Sequence, residues 1–494
     1  MICVSIARGR HKHVKAEHRH LAEQGAQLVE IRLDYIRRDI NLKRLLRDRP
    51  CPVIATCRRT QDQGKWTGSE ETRQMLLRAA IADGVEYVDL EEDIADQIPR
   101  YGKTQRIVSL HDFRETPDNL EQIHARLVSK DADIVKMATM ANDQHDNIRM
   151  LELVRNAPVP TVGICMGEIG TPSRILAGKY GAPFTYATFH HERTLAPGQL
   201  SFRQMMEIYR YDQIGVNTRV FGVVADPIGA NLAPVIQNAA FRVLNIDAVF
   251  VPFRVHRESL GRFLRDHQGL DIHGLSVDRP HNDVALNYLD KVDQAAEQIR
   301  TVNTIMFRDN GETYGYNTDF RAALRGLVKA SGIPGEKPLQ GKRALVLGAG
   351  GIAKAIVFGL VGAGVEVVIA ARSMEHALEL AEHTGGRAVE WDRRHDVKLD
   401  ILINGTPVGM HPNVDESPFE IGRLRRSWIV CDTIYNPEQT LLIKNARSTG
   451  CRLVTGVDLF VRKAALQFQL FTGQSPPADV MRLALKRSTG AAKY

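Results

Sequence analysis

Cysteine is scarce: six residues in 494 (Cys3, Cys51, Cys57, Cys165, Cys431 and Cys451), none of them in a CxxC pair. That excludes a disulfide scaffold and reads as reduced thiols in a cytosolic chain. Aromatics make up only 6%, and no basic cluster is interleaved with them, which argues against a nucleic-acid partner. No apolar run is long and unbroken enough for a membrane span. The strongest, Ala355 to Ala371, is interrupted by Glu366 and rich in glycine. The opening MICVSIARGRHKHVK lacks an apolar core and a cleavage site, so no targeting segment is expected and the chain is placed in the cytoplasm. Low-complexity tracts are missing too. What remains is ordinary globular composition, 44% hydrophobic and 25% charged, with a soft expectation of about three domains at roughly 150 residues each. The net charge of +7 comes from interspersed residues, which fits a solvated surface or sites for small anions better than a polyanion stripe.

Residues 1–213 alternate short apolar runs with helix-compatible stretches. The runs are ICVSIA, LVEIRLD, PVIATCR, EYVDLE, RIVSLHD, DIVKMAT, TVGICMG and FTYATFH, and Ser69–Asp83 and Asp118–Ser129 carry helical patterning between them. Eight such units in this length predict a (β/α)₈ TIM barrel within an α/β chain, with a doubly wound sheet as the alternative. Most runs contain or end in groups that a buried strand does not need: Glu30, Arg32 and Asp34, then Arg58, Glu91, His111 with Asp112, and Lys136. Strand ends of a barrel converge on one mouth, where chemistry takes place. Lys136, between Val135 and Met137, is expected to be desolvated with a lowered pKa, as an imine-forming amine requires. Taken singly, Lys136 is also compatible with a snorkelling lysine, His111 with a core histidine, and the arginines with surface charges. The histidine run His11, His13, His18 and His20 invites a metal reading, but its spacing puts no three on one helix face, so a solvated face is expected.

On the motifs VEIRLD, TCR, VDLE, SLHDF, DIVKMA, GTPSRILAGKYGAPFTYATF and LAPGQLS, this half resembles the type I 3-dehydroquinate dehydratases. The resemblance implies that Lys136 forms a Schiff base with the ketone of 3-dehydroquinate, without a cofactor. His111 is implied as general base and acid, and Glu91 as the group orienting it. Arg174 is implied to bind the substrate carboxylate, with Glu30, Arg32, Arg58, Met166 and Gln199 lining the site. Leu195 departs from a serine found in some members. A class I aldolase also uses a barrel lysine, but the set Glu91, His111, Lys136 and Arg174 favours dehydration.

The pattern restarts near Asp212–Arg219, and a second break, GIPGEKPLQGK, precedes a nucleotide-binding signature. Strand RALVLG runs into GAGGIAKAIVFGL, so Gly348, Gly350 and Ala353 satisfy GxGxxA, with Ala349, Gly351 and Ile352 between them. Such a turn lets backbone approach a pyrophosphate at a helix N-terminus. The next strand, EVVIAAR, ends in Arg372 and Ser373 rather than an acid, which suits the 2′-phosphate of NADP.

From about Thr218 onward the chain resembles the shikimate dehydrogenases, on GVVADPIGANLAPVIQNAAF, TVNTI, GYNTD, GAGGIAKAI, AARS, INGTPVGM, TIYNP and VDLFVRKAALQFQLFTG. The resemblance implies a catalytic domain at 218–325 with closing helices from 456–494, a Rossmann NADP domain at 326–455, and reduction of 3-dehydroshikimate with NADPH. A dehydratase fused ahead of this dehydrogenase would catalyse consecutive steps of the shikimate pathway. Asn303 and Asp319 match the family's substrate-binding asparagine and catalytic aspartate. Elsewhere the chain departs from the family. Asn231-Leu232-Ala233 replaces a serine pair, Ser276-Val277-Asp278 replaces Asn-Val-Thr, Asn282 replaces the catalytic lysine, and Lys463 replaces a glutamine. Loss of that lysine is expected to cost the chemical step about 10²–10⁴-fold unless a cation such as Lys463 compensates. Two readings follow: a dehydrogenase with altered substrate preference or a rearranged dyad, and an NADP-binding module with little activity.

Overall fold

A computed structural model describes residues 1–37, 39–190, 195–196, 198–229 and 231–489. The motifs LAPGQLS and GVVADPIGANLAPVIQNAAF, and the 456–494 segment, each include residues outside that set. Two compact units form, one of Met1–Val220, Pro227–Ala230 and Asp247–Ile272, the other of Phe221–Asp226, Asn231–Ile246 and His273–Tyr494.

In the first unit the eight apolar runs become strands β1 (Ile2–Ile6), β2 (Leu28–Arg32), β3 (Val53–Thr56), β4 (Tyr87–Glu91), β5 (Gln105–Asp112), β6 (Ile134–Met140), β7 (Thr161–Met166) and β8 (Thr185–Thr188). They form one parallel sheet in the order β7–β6–β5–β4–β3–β2–β1–β8, a barrel whose ladder begins at β7 and ends at β8. Apolar residues at or just before the strand starts, among them Cys3, Leu28, Ile54, Ile134, Val162 and Phe184, pack into one buried cluster. This layer plugs the N-terminal end, so inward-facing polar side chains are left to the opposite end. The helix Glu70–Ala82 starts at Ser69, whose Oγ accepts from Thr72 N at 3.2 Å. It turns Leu77, Ala80 and Ile81 inward, and Arg73 with them. Segment 247–272, with β10 (Ala248–Arg254), packs within this unit although the sequence pattern breaks near 213–218. Tyr180 Oη donates to Gly269 O at 2.8 Å and Gln144 Nε2 to Arg254 O at 2.9 Å, while Lys179 pairs with Asp271 at 2.8 Å.

The second unit holds β9 (Arg219–Ala225), β11 (Ile272–Val277), β12 (Lys291–Val292), β13 (Thr304–Phe307) and β14 (Thr313–Tyr316), side by side in the order β9–β11–β13–β14–β12. It also holds a parallel sheet of β15 (Arg343–Leu347), β16 (Glu366–Ala371), β17 (Arg387–Glu390), β18 (Ile401–Asn404), β19 (Ile429–Asp432) and β20 (Arg452–Val454). Its order, β17–β16–β15–β18–β19–β20, is the doubly wound Rossmann arrangement, with the switch point between β15 and β18. Alternate residues of β15, Ala344 and Val346 against Leu345 and Leu347, enter separate buried clusters, so both faces of the sheet are covered. That is why these strands read as unbroken apolar runs. The helix Gly456–Thr472 opens on a capping box between Thr455 and Asp458. It packs Phe471 on Phe221 (ring centroids 5.1 Å apart) and Phe468 on Phe241 (5.6 Å).

Of the histidine run, His18 departs from the solvated face expected for it. It is buried, with Nε2 3.2 Å from Cys51 Sγ, and burial pulls its pKa down to about 4. Its position beside Leu21 and Val14 on the inward face of the first helix accounts for this. Among the described residues no His, Cys, Asp and Glu group is arranged to hold a metal.

Candidate active sites

Lys136 is the third residue of β6 rather than its last, so its ammonium rises from within the barrel. Register sets it opposite Ser109 on β5, and Ser109 opposite Glu91 on β4. His111 lies two residues further along β5, one inward position nearer the mouth. The lysine is buried, as its strand context implied, but its surroundings are ionic rather than apolar. Nζ donates to Asp89 Oδ2 at 2.8 Å, stands 3.7 Å from Glu30 Oε1, and lies 4.3 Å from the centre of the Tyr186 ring. Glu30 is itself held by Ser5 Oγ at 2.6 Å and Thr56 Oγ1 at 2.9 Å.

Arg58 is the hub of the site. Its guanidinium donates to Asp89 at 3.0 Å, Glu91 at 3.1 Å, Ser109 at 3.3 Å and His111 Nδ1 at 3.3 Å. Burial alone would raise the Asp89 carboxyl, but Arg58, then Lys136, hold it well below the usual carboxylate range. Burial first, then Arg58 and Lys136, push His111 well below its ordinary value, which keeps the ring neutral. An arginine can only donate, so Nδ1 carries the lone pair and is the nitrogen able to accept a proton. The carboxylate of Glu91, the group expected to orient His111, accepts from Arg58 and, at 2.8 Å, from Arg73, so it reaches the ring through Arg58. Arg73, Asp89 and Tyr186 were not singled out from sequence. Asp89 shares the inward face of β4 with Glu91 two residues on, and Arg73 stands on the apolar helix face four residues before Leu77. Both positions were available as signals.

The remaining barrel residues frame this core. Arg32 forks onto Asp34 at 2.9 and 2.8 Å. Met166 closes β7, and Arg174 is buried on the helix Thr171–Leu176, where burial lowers its guanidinium to about 10. Gln199 Oε1 accepts from Leu195 N at 3.0 Å, so the leucine that replaces a serine still ties this loop through its backbone.

In the second unit, Gly348 follows β15 with φ +105°, and a Cβ there would sit 3.0 Å from Gly405 O. Nothing lies within 4 Å of a Cβ on Gly350, which caps the helix Gly351–Gly362 without any side-chain hydrogen bond to the helix start. Ala349 completes this turn at the switch point, and Gly351 and Ile352 begin the helix, whose N-terminus is the kind of place an anionic group can approach. Ala353 is fully buried against Gly405, where a Cβ would approach it to 3.1 Å. Arg372 is exposed just after β16, and Ser373 Oγ caps the helix Met374–Thr384 by accepting from His376 N at 3.3 Å.

Several charged and amide side chains of this unit meet in one place. Lys463 Nζ donates to Asp278 Oδ1 at 3.2 Å and lies 3.9 Å from Asp319 Oδ1. Asn231 Nδ2 donates to the other Asp278 oxygen at 2.7 Å. Asn303 Oδ1 accepts from Thr318 N at 3.0 Å, next to Asp319 at the start of the helix Asp319–Ser331. Its buried Nδ2 has no hydrogen-bond partner among the described residues. Asn282 does not face a partner acid. Its Nδ2 donates to Val277 O at 2.7 Å and Val302 O at 3.2 Å, binding two backbone segments together. Ser276 Oγ donates to Gln467, and Ala233 opens the helix Ala233–Val243.

Three family models match successive stretches of the chain. Residues 2–216 match the family model for type I 3-dehydroquinase, 223–305 that for the shikimate dehydrogenase substrate binding domain, and 333–414 that for shikimate/quinate 5-dehydrogenase. A bifunctional 3-dehydroquinate dehydratase/shikimate dehydrogenase of Arabidopsis thaliana, a chloroplastic protein, is 37% identical over 93% of this chain and 79% of its own length. An NADP(+) shikimate dehydrogenase of Bacillus cereus is 39% identical over 55% of this chain and 99% of its own. The crystal structure of the Thermus thermophilus shikimate 5-dehydrogenase in complex with NADP(H) and shikimate matches with TM-score 0.50 and 31% identity, over 55% of this chain and 99% of that one. With one relative aligned across both halves, the chain belongs to the family of bifunctional type I 3-dehydroquinate dehydratase/shikimate dehydrogenases.

Proposed function

We propose that the barrel dehydrates 3-dehydroquinate through an imine on Lys136, and that the second unit reduces the product, 3-dehydroshikimate, to shikimate with NADPH. The functional regions are then 1–213, 218–325 with 456–494, and 326–455. The observation that carries the first activity is a lysine buried mid-strand among carboxylates, beside a histidine kept neutral. Nζ attacks the ketone carbon and the carbonyl oxygen leaves as water. The resulting iminium draws electrons from the adjacent C–H, whose proton His111 Nδ1 takes once Arg58 yields its long hydrogen bond. The electron pair then returns to expel the β-hydroxyl, which His111 protonates, and a second water hydrolyses the iminium and frees Lys136. In this scheme Arg174 binds the carboxylate with its fork, and Glu30, Arg32, Arg58, Met166 and Gln199 hold the ring. Glu91 serves as a positioning residue for Arg58.

For the second activity, residues 348–353 with Arg372 and Ser373 would hold NADP, the last two at its 2′-phosphate, and the reduced cofactor would supply a hydride when bound. Asn303 Nδ2, a buried donor, suits a substrate oxygen, and Asp319 takes part in proton handling. One observation favours a different ketone: Asn231 and Lys463 are engaged by the chain's own Asp278, where donors for a substrate carboxylate are expected. Six free thiols, five of them buried, fit a reducing compartment such as the cytoplasm.

Borohydride added with 3-dehydroquinate should leave one reduced adduct, on Lys136 by peptide mass spectrometry. Lys136→Ala should remove the adduct and lower dehydration ~10³-fold or more. An unmodified chain, or an adduct elsewhere, overturns the assignment. NADPH oxidation with 3-dehydroshikimate, set against a neutral polyhydroxy ketone, decides between the two substrate readings.

A further inference from the structure

The second unit lacks a lysine at 282, yet an ammonium stands beside Asp319. Lys463 comes from the helix Gly456–Thr472, and only 16% of its side chain is exposed, against 13% for Asp319. Its position is fixed from several sides. Asp278, itself anchored by Asn231, holds Nζ at 3.2 Å. Four residues on, hence on the same helix face, Gln467 accepts from Ser276 at 2.9 Å and donates to Asn303 O at 2.9 Å and Thr304 Oγ1 at 3.1 Å. These bonds lock the helix to β11 and β13, beside the asparagine whose Nδ2 is a buried donor with no partner among the described residues. Burial works against the ammonium, but Asp278 first and Asp319 second keep it charged well above the usual lysine range. A protonated amine, a carboxylate within 4 Å and a buried amide donor are the groups needed to protonate a ketone oxygen as it becomes an alkoxide.

We propose that Lys463 is the proton donor of the reduction, paired with Asp319 and held by Asp278, so that the catalytic cation enters from the closing helix instead of from position 282. The inference rests on the ketone reduction proposed above. As hydride reaches the ketone carbon, the C=O π pair moves onto oxygen. The new O–H bond forms with a proton from Nζ as that N–H bond breaks, and the neutral amine regains its proton from solvent. Asp319 stabilises the ammonium before and after the transfer, and Asp278 acts as a positioning residue.

The test uses the full-length chain with NADPH and 3-dehydroshikimate, following kcat, KM, NADPH binding by fluorescence, and dehydratase activity. Lys463→Gln is expected to lower kcat about 10²–10⁴-fold, with KM changed less than about 3-fold, and with NADPH binding and dehydration unchanged. Lys463→Arg keeps the charge and the Asp278 pair, so the unit stays folded, but a guanidinium does not release its proton. It should lose kcat comparably. Asp278→Asn combined with Lys463→Gln should stay inactive. The proposal is overturned if either single variant keeps the wild-type kcat. It is equally overturned if the loss lies in KM alone, which marks a substrate-carboxylate binder, or if the double variant recovers activity, which marks charge neutralisation. A wild-type chain that binds NADPH but leaves the ketone untouched overturns the reduction itself and the proton donor with it.

Discussion

Arg58 shows how one side chain fixes the protonation of another. By donating to His111 Nδ1 and adding its charge to that of Lys136, it makes an imidazolium costly, while Asp89 stays ionised beside both cations. The base form of His111 is therefore present at neutral pH and is lost only as pH falls through a pKa depressed from 6.5. Dehydratase kcat/KM should stay level from pH 7.5 down through 6.5 and decline only well below that; an inflection at or above 6.5 contradicts this electrostatic account. Lys136, His111 and Arg58 were legible in the sequence because charged groups in apolar runs stand out. Asp89 and Arg73 were not, although each lies on a readable inward face, because their partners come from other strands and helices. The ionic surroundings of Lys136 were hidden for the same reason: its carboxylate neighbours are supplied by β4 and β2.

At the level of elements, all eight barrel strands fall within or beside the apolar runs, since burial on both faces leaves little else in them to read. The GxGxxA turn was equally plain. Hidden from sequence was Gly405, a residue of the quoted INGTPVGM motif whose lack of a side chain lets β18 close on Ala353 and Leu347 O. Gly405→Val puts a Cβ 3.1 Å from both and forces the helix Gly351–Gly362 away from the sheet. Thermal unfolding of the second unit should drop by several degrees and NADPH affinity by more than about tenfold, with dehydratase activity at 25 °C unaffected. Unchanged NADPH binding would show that this close approach does not shape the turn. His18 is an element-scale miss as well, since its fate depended on which face of the first helix turned inward.

For the molecule as a whole, the break at 213–218 lies just before the end of the barrel unit's main segment at Val220, but the unit does not end there. Segment 247–272 belongs to the barrel's compact unit through bonds such as Tyr180 to Gly269 and Gln144 to Arg254. Those polar contacts pair residues far apart in sequence and carry no local pattern, which is why composition and motifs did not reveal them. A fragment of residues 1–216 should fold and dehydrate, yet lose roughly 1–3 kcal/mol for the bonds it leaves unmade. Activity-monitored thermal inactivation of the fragment and the full chain would measure the difference, and equal midpoints would mean that the segment contributes nothing to the barrel.

Asn282 has a consequence for how this chain can change. Its amide joins Val277 to Val302, so the position has become masonry rather than chemistry. A mutation placing lysine there would remove both ties and add a cation to a unit that already supplies Lys463 to Asp319. A lysine at 282 is therefore reached only through a damaged intermediate. The route is closed in single steps and open only to changes made together.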